Sequence, residues 1–342
     1  MPASMASNNP LDLLTAPLQK AYAVSGNLDA STCTEAGVTW DGSTNTCIIT
    51  GTLEVGSTET LTIPSGATLL VESSGIINTF ESAIVVSNGG TIDNSGVINS
   101  NFNIVHNNGT ITNSGTINNL GFGTIRNNAD GTINNNSGGT INNNENVIEN
   151  NGIISNRGTV NNSGYIYNNS TIDNYGMIDN NGTVEINNGG RIIIQLGGNA
   201  TVNSGGIINI NNGGSFNNGA FTTVNSGGII NINNGGILAN TGFLTIAEGG
   251  TINNYSGGSI GNNSGGGGGA TINNNGTINN NSGGDIINHR RGQININNEG
   301  IINNNGTITN NDIINDNCGT FIGIIPTSGN AIVDKCGNQQ QL

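Results

Sequence analysis

Apolar residues recur along this chain at even intervals, with glycines and polar pairs between them. The pattern is plainest from Thr201 to Leu244, where one unit is written twice. TVNSGGIININNGGSFNNGAF begins at Thr201 and TVNSGGIININNGGILANTGFL at Thr223, an offset of 22 residues. Val202, Ile208, Phe216, Val224, Ile230 and Leu238 are separated by steps of 6, 8, 8, 6 and 8. Side chains alternate faces along a strand, so even steps keep every member of the series on one face. Gly-Gly and Asn-Asn pairs fall between the apolar sites, where a chain turns. Three short strands and three corners per repeat predict one coil of a parallel β-solenoid.

The rhythm extends in both directions. Leu53, Leu61, Leu69 and Ile77 are spaced by eight, with Val55, Ile63 and Val71 two residues further on. Ile117, Ile125, Ile133 and Ile141 also step by eight, and Ile148, Ile154, Val160, Ile166, Ile172, Ile178 and Val184 step by six. Two steps of seven, Ile104 to Ile111 and Ile141 to Ile148, change parity. Within a strand that change would turn the core outward, so the odd residue is expected at a corner or bulge. Gly265 to Gly269 lengthens the step from Ile260 to Ile272 to twelve and reads as a corner loop. A structureless low-complexity tract is the competing reading. Such a tract would place isoleucine at odd and even steps alike.

The recurrent phrase is Gly131-Thr132-Ile133-Asn134-Asn135. Isoleucine is expected inward and threonine outward. The asparagine two residues after the isoleucine points inward or sits at the corner, where stacked amides can hydrogen-bond between coils. Asparagine and glycine also tolerate the left-handed backbone of tight corners.

Two stretches carry a resemblance. Leu61 to Leu69, read as L-x-I-P-x-G-x-x-L, resembles the opening coils of secreted right-handed parallel β-helix proteins. The Asn/Gly-rich repeats from Thr91 to Ile314 resemble secreted surface solenoids of archaea and bacteria, including filamentous-haemagglutinin and autotransporter adhesins. The resemblance implies a three-sided, all-β parallel solenoid at the cell surface. About 32 apolar sites between Thr91 and Ile314 make ten or eleven coils, a rod of roughly 50 Å at ~4.8 Å per coil.

The organisation expected is an N-terminal arm or signal-peptide remnant over residues 1–23, a cap over 24–50, the solenoid over 51–314 and a second cap over 315–342. Ala21-Tyr22-Ala23 has the form of a signal-peptidase site. The apolar run from Leu11 to Leu18 is interrupted by Asp12 and Pro17 and has no basic region before it. Asp41-Gly42 predicts a hairpin in the first cap. Trp40, the one tryptophan, either stacks on carbohydrate or covers the core end. In the second cap, FIGII, PTSGN and AIV read as a hairpin. Cys33 and Cys47 flank one end of the array, and Cys318 and Cys336 the other. An even count in two local pairs, without CxxC spacing or a nearby histidine, predicts disulfides Cys33–Cys47 and Cys318–Cys336 over a metal site. Disulfides imply a secreted or surface location.

Composition narrows the functions. Only 8% of residues are charged and 4% aromatic, while 56 of 342 are glycine. The net charge is −14, with seven Lys and Arg in all. That excludes the basic stripe a nucleic-acid binder needs and disfavours anionic membrane surfaces. No apolar run approaches the ~20 residues of a spanning helix.

Enzymes on related architectures use carboxylates for Ca²⁺ or acid–base work. Here Asp173 and Asp179, six residues apart, read as a solvated pair. Asp285, His289, Arg290 and Arg291 form a dense charged cluster that reads as a solvated corner, or as a site for an anionic sugar. His106 stands alone. No nucleophile–base pair, phosphate loop or zinc pattern is present, so no catalytic, cofactor or metal role is expected. Asn-x-Ser/Thr sequons occur at Asn108, Asn135, Asn161, Asn168, Asn169, Asn181, Asn199, Asn254, Asn262, Asn275, Asn280 and Asn305, candidate sites for N-glycosylation. The function expected is structural: a subunit of an extracellular filament, sheath or layer that self-associates end to end. The alternatives are a glycan-binding adhesin, a polysaccharide-active enzyme and an ice-binding threonine face.

Overall fold

The computed structural model describes residues 22, 23, 25–35, 38–56, 58–101, 104–263, 269–326 and 328–336. The chain winds as a three-sided parallel β-solenoid of about 13 turns. Its corners join three parallel sheets of 15, 14 and 15 strands. In one early coil the first sheet receives Thr52–Val55, the second Thr60–Ile63 and the third Thr68–Val71, and Ile76–Phe80 returns to the first. Nearly every strand has four residues and the same burial alternation, the second and fourth side chains inward.

The 22-residue repeat is one complete coil. Asn199–Val202, Ile207–Ile210 and Ser215–Asn218 pair in register with Phe221–Val224, Ile229–Ile232 and Ile237–Asn240 of the next. Two side chains per strand face inward, so the apolar series read from the sequence crosses two columns. Ile208, Ile230 and Ile252 hold the first inward column of the second sheet, whereas Val202 and Val224 belong to the second inward column of the first. A correction concerns parity. Val105 faces the core, in register with Ile84 and Ile125, so the step to Ile111 is even. The odd step at Ile141 to Ile148 is absorbed at a corner, as expected. There Glu145 takes φ +59° and Asn146 turns inward. Of the Gly265–Gly269 insertion, residues 265–268 lie outside the described residues.

The second inward position decides the character of the core. Between Asn94 and Asn180 it is mostly asparagine on all three faces. Asn94, Asn113, Asn135, Asn156 and Asn174 form one inner ladder, each Nδ2 donating to the Oδ1 of the next at 2.7 Å. Asn119 to Asn180 and Asn107 to Asn168 form two more. The second proton of each amide is not wasted. Asn113, for example, also donates to the Thr140 carbonyl at 3.1 Å. A buried amide without partners would cost several kcal/mol, and the ladder removes that cost. The inner ladders donate toward the C-terminal end. Outer ladders on the solvent side run the other way, as Asn161 to Asn142 to Asn118 to Asn99 to Asn78 does.

Asparagine reaches less far across the axis than an aliphatic chain. Two narrow voids of about 20 and 30 Å³, lined by aliphatic side chains, run along the axis between Ile84 and Ile192. From Ile186 onward aliphatic residues re-enter the second position, at Ile194, Val202 and Ile210, and are fully buried.

Corners repeat as tightly as strands. Gly213 and Gly235 take φ near +75°. The Gly213 N–H donates to the Gly235 carbonyl one coil on, at 3.1 Å. A side chain at either position would be strained whatever room it had.

Both ends differ from the repeat. At the N-terminal end Leu28, a short helix Ala30–Glu35 and the antiparallel hairpin of Thr39–Asp41 with Thr46–Ile49 cover the first coil. Asp29 caps the helix, accepting from the Thr32 amide at 2.8 Å. Trp40 packs half-buried against the core, and Cys33 is bonded to Cys47. Of the expected arm, residues 1–21 lie outside the described residues, and Tyr22–Ala23 pairs parallel with Leu53–Glu54 of the first sheet.

The C-terminal segment is not the expected hairpin. Thr320–Gly323, Ser328–Gly329 and Val333–Asp334 each add a parallel strand to a different sheet. They form one more irregular coil, bridged by Cys318–Cys336. The reason is the open edge of the preceding coil, whose unpaired backbone groups take a parallel strand whatever its side chains.

Candidate functional site

A cleft opens where the third sheet turns into the first. The strand Arg191–Ile194 leaves the third sheet and reaches Asn199–Val202 through a four-residue corner, Gln195 to Gly198. The next two coils make the same passage through Gly219-Ala220 and Thr241-Gly242 only. The longer corner therefore overhangs. Leu196 stands at its tip, 87% exposed. The shorter corners are held down by backbone bonds, Phe243 N–H to the Ala220 carbonyl at 2.7 Å among them. Beside the overhang Phe221 and Phe243, equivalent positions of the 22-residue repeat, stack with ring centroids 5.5 Å apart and planes 11° apart. They are 54% and 47% exposed.

The cleft between them has a volume of about 550 Å³. Ile193, Leu196 and the two phenylalanines give it an apolar side. Gln195, Asn217 and Thr241 give it amide and hydroxyl groups, and among the described residues no ionisable side chain lines it. Burying two half-exposed aromatic rings is the largest hydrophobic gain this surface offers a ligand. Unpartnered buried polar atoms gather at the same coils: Oδ1 of Asn199, Oδ1 of Asn218 and Oγ1 of Thr222. Asn218 begins a ladder, and beneath it lies Ile194, which has no amide to offer.

The charged residues singled out from the sequence lie elsewhere. Asp173 is on the outer face of the third sheet, beside Gln195, and Asp179 on that of the first. The fold does not bring them together. Asp285 is in a third-sheet strand, and His289 to Arg291 form the corner after it. The Arg291 amide there donates to the Asp312 carboxylate.

His106 is not alone. One coil on, in register, stands Arg126, and then Glu149. Arg126 Nε meets Glu149 Oε2 at 2.8 Å. Burial pushes the His106 pKa down and Arg126 pushes it further. Burial would raise Glu149, but hydrogen bonds from Asn151 and Arg126 outweigh it and hold the carboxyl low. The signal for this column was in the sequence, since all three follow their core residue by one position. Among the described residues no group of three His, Cys, Asp or Glu could hold a metal ion.

Two further carboxylates do meet. Glu248 and Glu299 lie on corners between the first and second sheets, on either side of the short Asn275-Gly276 corner. Their shared hydrogen bond raises the pKa of Glu299.

The sequons divide by environment. Asn181 and Asn305 are exposed at corners. Asn108, Asn161, Asn169, Asn199 and Asn275 are half-buried. Asn135, Asn168, Asn254, Asn262 and Asn280 are fully buried in the inner ladders, so the folded chain cannot carry a glycan there.

The stacked phenylalanines were missed because Phe221 and Phe243 sit at outward positions that the core pattern ignores. The 22-residue offset between them was the available signal. No protein-family profile and no curated protein matches the chain. Among solved structures it is similar to a TibC-catalysed, hyper-glycosylated TibA fragment. Identity is 20%, with 92% of this chain and 100% of that one covered, at a TM-score of 0.46. At that level the likeness carries no functional weight.

Proposed function

We propose that the chain is a secreted, non-enzymatic surface rod of the adhesin type, which binds a neutral glycan in the cleft at Leu196, Phe221 and Phe243. The observation that carries the reading is the pairing of exposed, stacked rings with amide and hydroxyl groups in one uncharged concavity. A sugar presents an apolar face to an aromatic ring and hydroxyls to amides, and both partners are present here. The absence of any lining cation, on a chain of net charge −14, turns the preference away from acidic sugars. The two disulfides support an oxidising, extracellular setting.

The test is a glycan array followed by titration calorimetry on the best neutral ligand. Phe221→Ala combined with Phe243→Ala should weaken binding at least tenfold, while the melting temperature stays within a few degrees because both rings are exposed. Unchanged affinity in a folded double variant, or no binding to any neutral glycan, would overturn the proposal.

A second reading, end-to-end self-association into a filament, sheath or layer, is favoured by the last described coil. Ile322, Ile324, Ile325 and Val333 are exposed there, and among the described residues the strand Thr320–Gly323 has a free edge. Sedimentation decides it. Concentration-dependent growth that Ile324→Lys abolishes supports assembly, and a monomer at all concentrations removes it.

A further inference from the structure

The five sequons buried in the ladders carry a consequence for how the chain matures. N-linked transfer joins the asparagine Nδ2 to the anomeric carbon of a lipid-linked sugar. The lipid diphosphate leaves and one amide proton is lost. In the folded chain those protons are engaged. Asn135 Nδ2 donates to Asn156 Oδ1 at 2.7 Å and to the Thr159 carbonyl at 3.1 Å. Asn254 and Asn280 do the same toward the next rung and the next strand, and so does Asn262. Asn168, where Ile186 replaces the next rung, donates to the Arg191 carbonyl at 3.0 Å. All five side chains have 0% exposure. A sugar on Nδ2 would take a ladder proton and would have to fit inside a core that leaves voids of only about 20 to 30 Å³.

We infer that glycan transfer to Asn135, Asn168, Asn254, Asn262 or Asn280 and closure of the coils exclude one another. The native chain closes its coils before any sequon-directed transferase reaches them. Once folded, it offers that chemistry two exposed acceptors, Asn181 and Asn305. Each precedes a glycine and a threonine at a two-residue corner on the solvent side.

The inference can be tested without touching the ladder. Ser137→Ala, Ser170→Ala, Ser256→Ala, Ser264→Ala and Ser282→Ala together abolish the five buried sequons and leave every asparagine in place. Wild type and this variant are expressed in a secretory host with an N-glycan transferase and in one without. With the transferase, variant and wild type should be secreted at matching yields; a variant secreted severalfold better, with ladder-site glycopeptides in retained wild-type chain, would overturn the inferred order of events. Without it, the yields should match. Equal yields in both hosts with the ladder sites empty mean that the coils close ahead of transfer, as the inference requires. A secreted, protease-resistant wild-type chain bearing a glycan on any of the five would overturn it. In a second arm the purified folded chain meets a single-subunit transferase and lipid-linked oligosaccharide. Occupancy at Asn181 and Asn305 is expected. Failure at both, when synthetic peptides of the same sequons are accepted, would overturn their assignment.

Discussion

Ile172 and Thr171 are neighbours in sequence and face opposite ways, one buried in the core and one on the outer surface of the third sheet. Ile172→Asp places an unpaired carboxylate in the core and should destabilise the rod by about 3–5 kcal/mol, whereas Thr171→Asp should cost less than about 1 kcal/mol. Thermal melts of the two variants check the assignment of faces, and equal shifts would contradict it. The same contrast holds for amides. Asn162 receives the Asn143 proton and donates to Asn180, each at 2.7 Å, out of reach of water. Asn161 belongs to the outer ladder, where solvent can replace a lost partner. Asn162→Ala should therefore cost about 2 kcal/mol and Asn161→Ala about 0.5 kcal/mol by denaturant unfolding. Val160 lines the axial void. Val160→Ile adds one methyl toward that void and should raise stability by about 0.5 kcal/mol, unusual for a change in a packed core. A destabilised Val160→Ile variant would show that the void is not usable space.

Strands were the most legible elements, because their signal is strictly periodic and each coil repeats it. Corners were less so. Ile104 and Val105 are both apolar, and only the pairing of Val105 with Ile84 and Ile125 decides between them. The last coil was misread for a related reason. Phe321 takes the core position in register with Ile302, but the residues around it lack the isoleucine–asparagine phrase, so local pattern favoured a hairpin. What placed them was the edge of the coil before, a tertiary fact no window of sequence contains. The cleft was illegible for another reason still: it depends on one corner being longer than the two above it. Corners also carry the pH response. The Glu299 pKa is raised by its bond to Glu248, so the folded state binds its proton more tightly than the unfolded chain does. That contribution is fully present below the ordinary glutamate range and is lost as pH rises through the elevated value. Melting temperature should rise as pH is lowered from 7 toward 4.5, and Glu299→Gln should reduce that rise. An identical pH profile in the variant would contradict the pair.

As a whole the molecule is a rod of roughly 60 Å, about 13 turns at ~4.8 Å each. Even steps in the sequence were enough to foresee this architecture, and the amide ladders followed from the phrase Gly-Thr-Ile-Asn-Asn. Its use was not foreseeable in the same way, because the proposed site joins Leu196, at the tip of one lengthened corner, to Phe221 and Phe243, at outward positions that the core pattern ignores. The ladders have a last implication, which concerns the field of the rod. Each carboxamide is a dipole, and in a column of identical coils such dipoles add, as peptide dipoles do in a helix. Here the inner columns point their N–H groups toward the C-terminal end, as Asn94 does to Asn113, and the outer columns point theirs the opposite way, as Asn99 does to Asn78. The two currents of side-chain dipole oppose each other across the wall of the solenoid, so turns can be added without charging its ends.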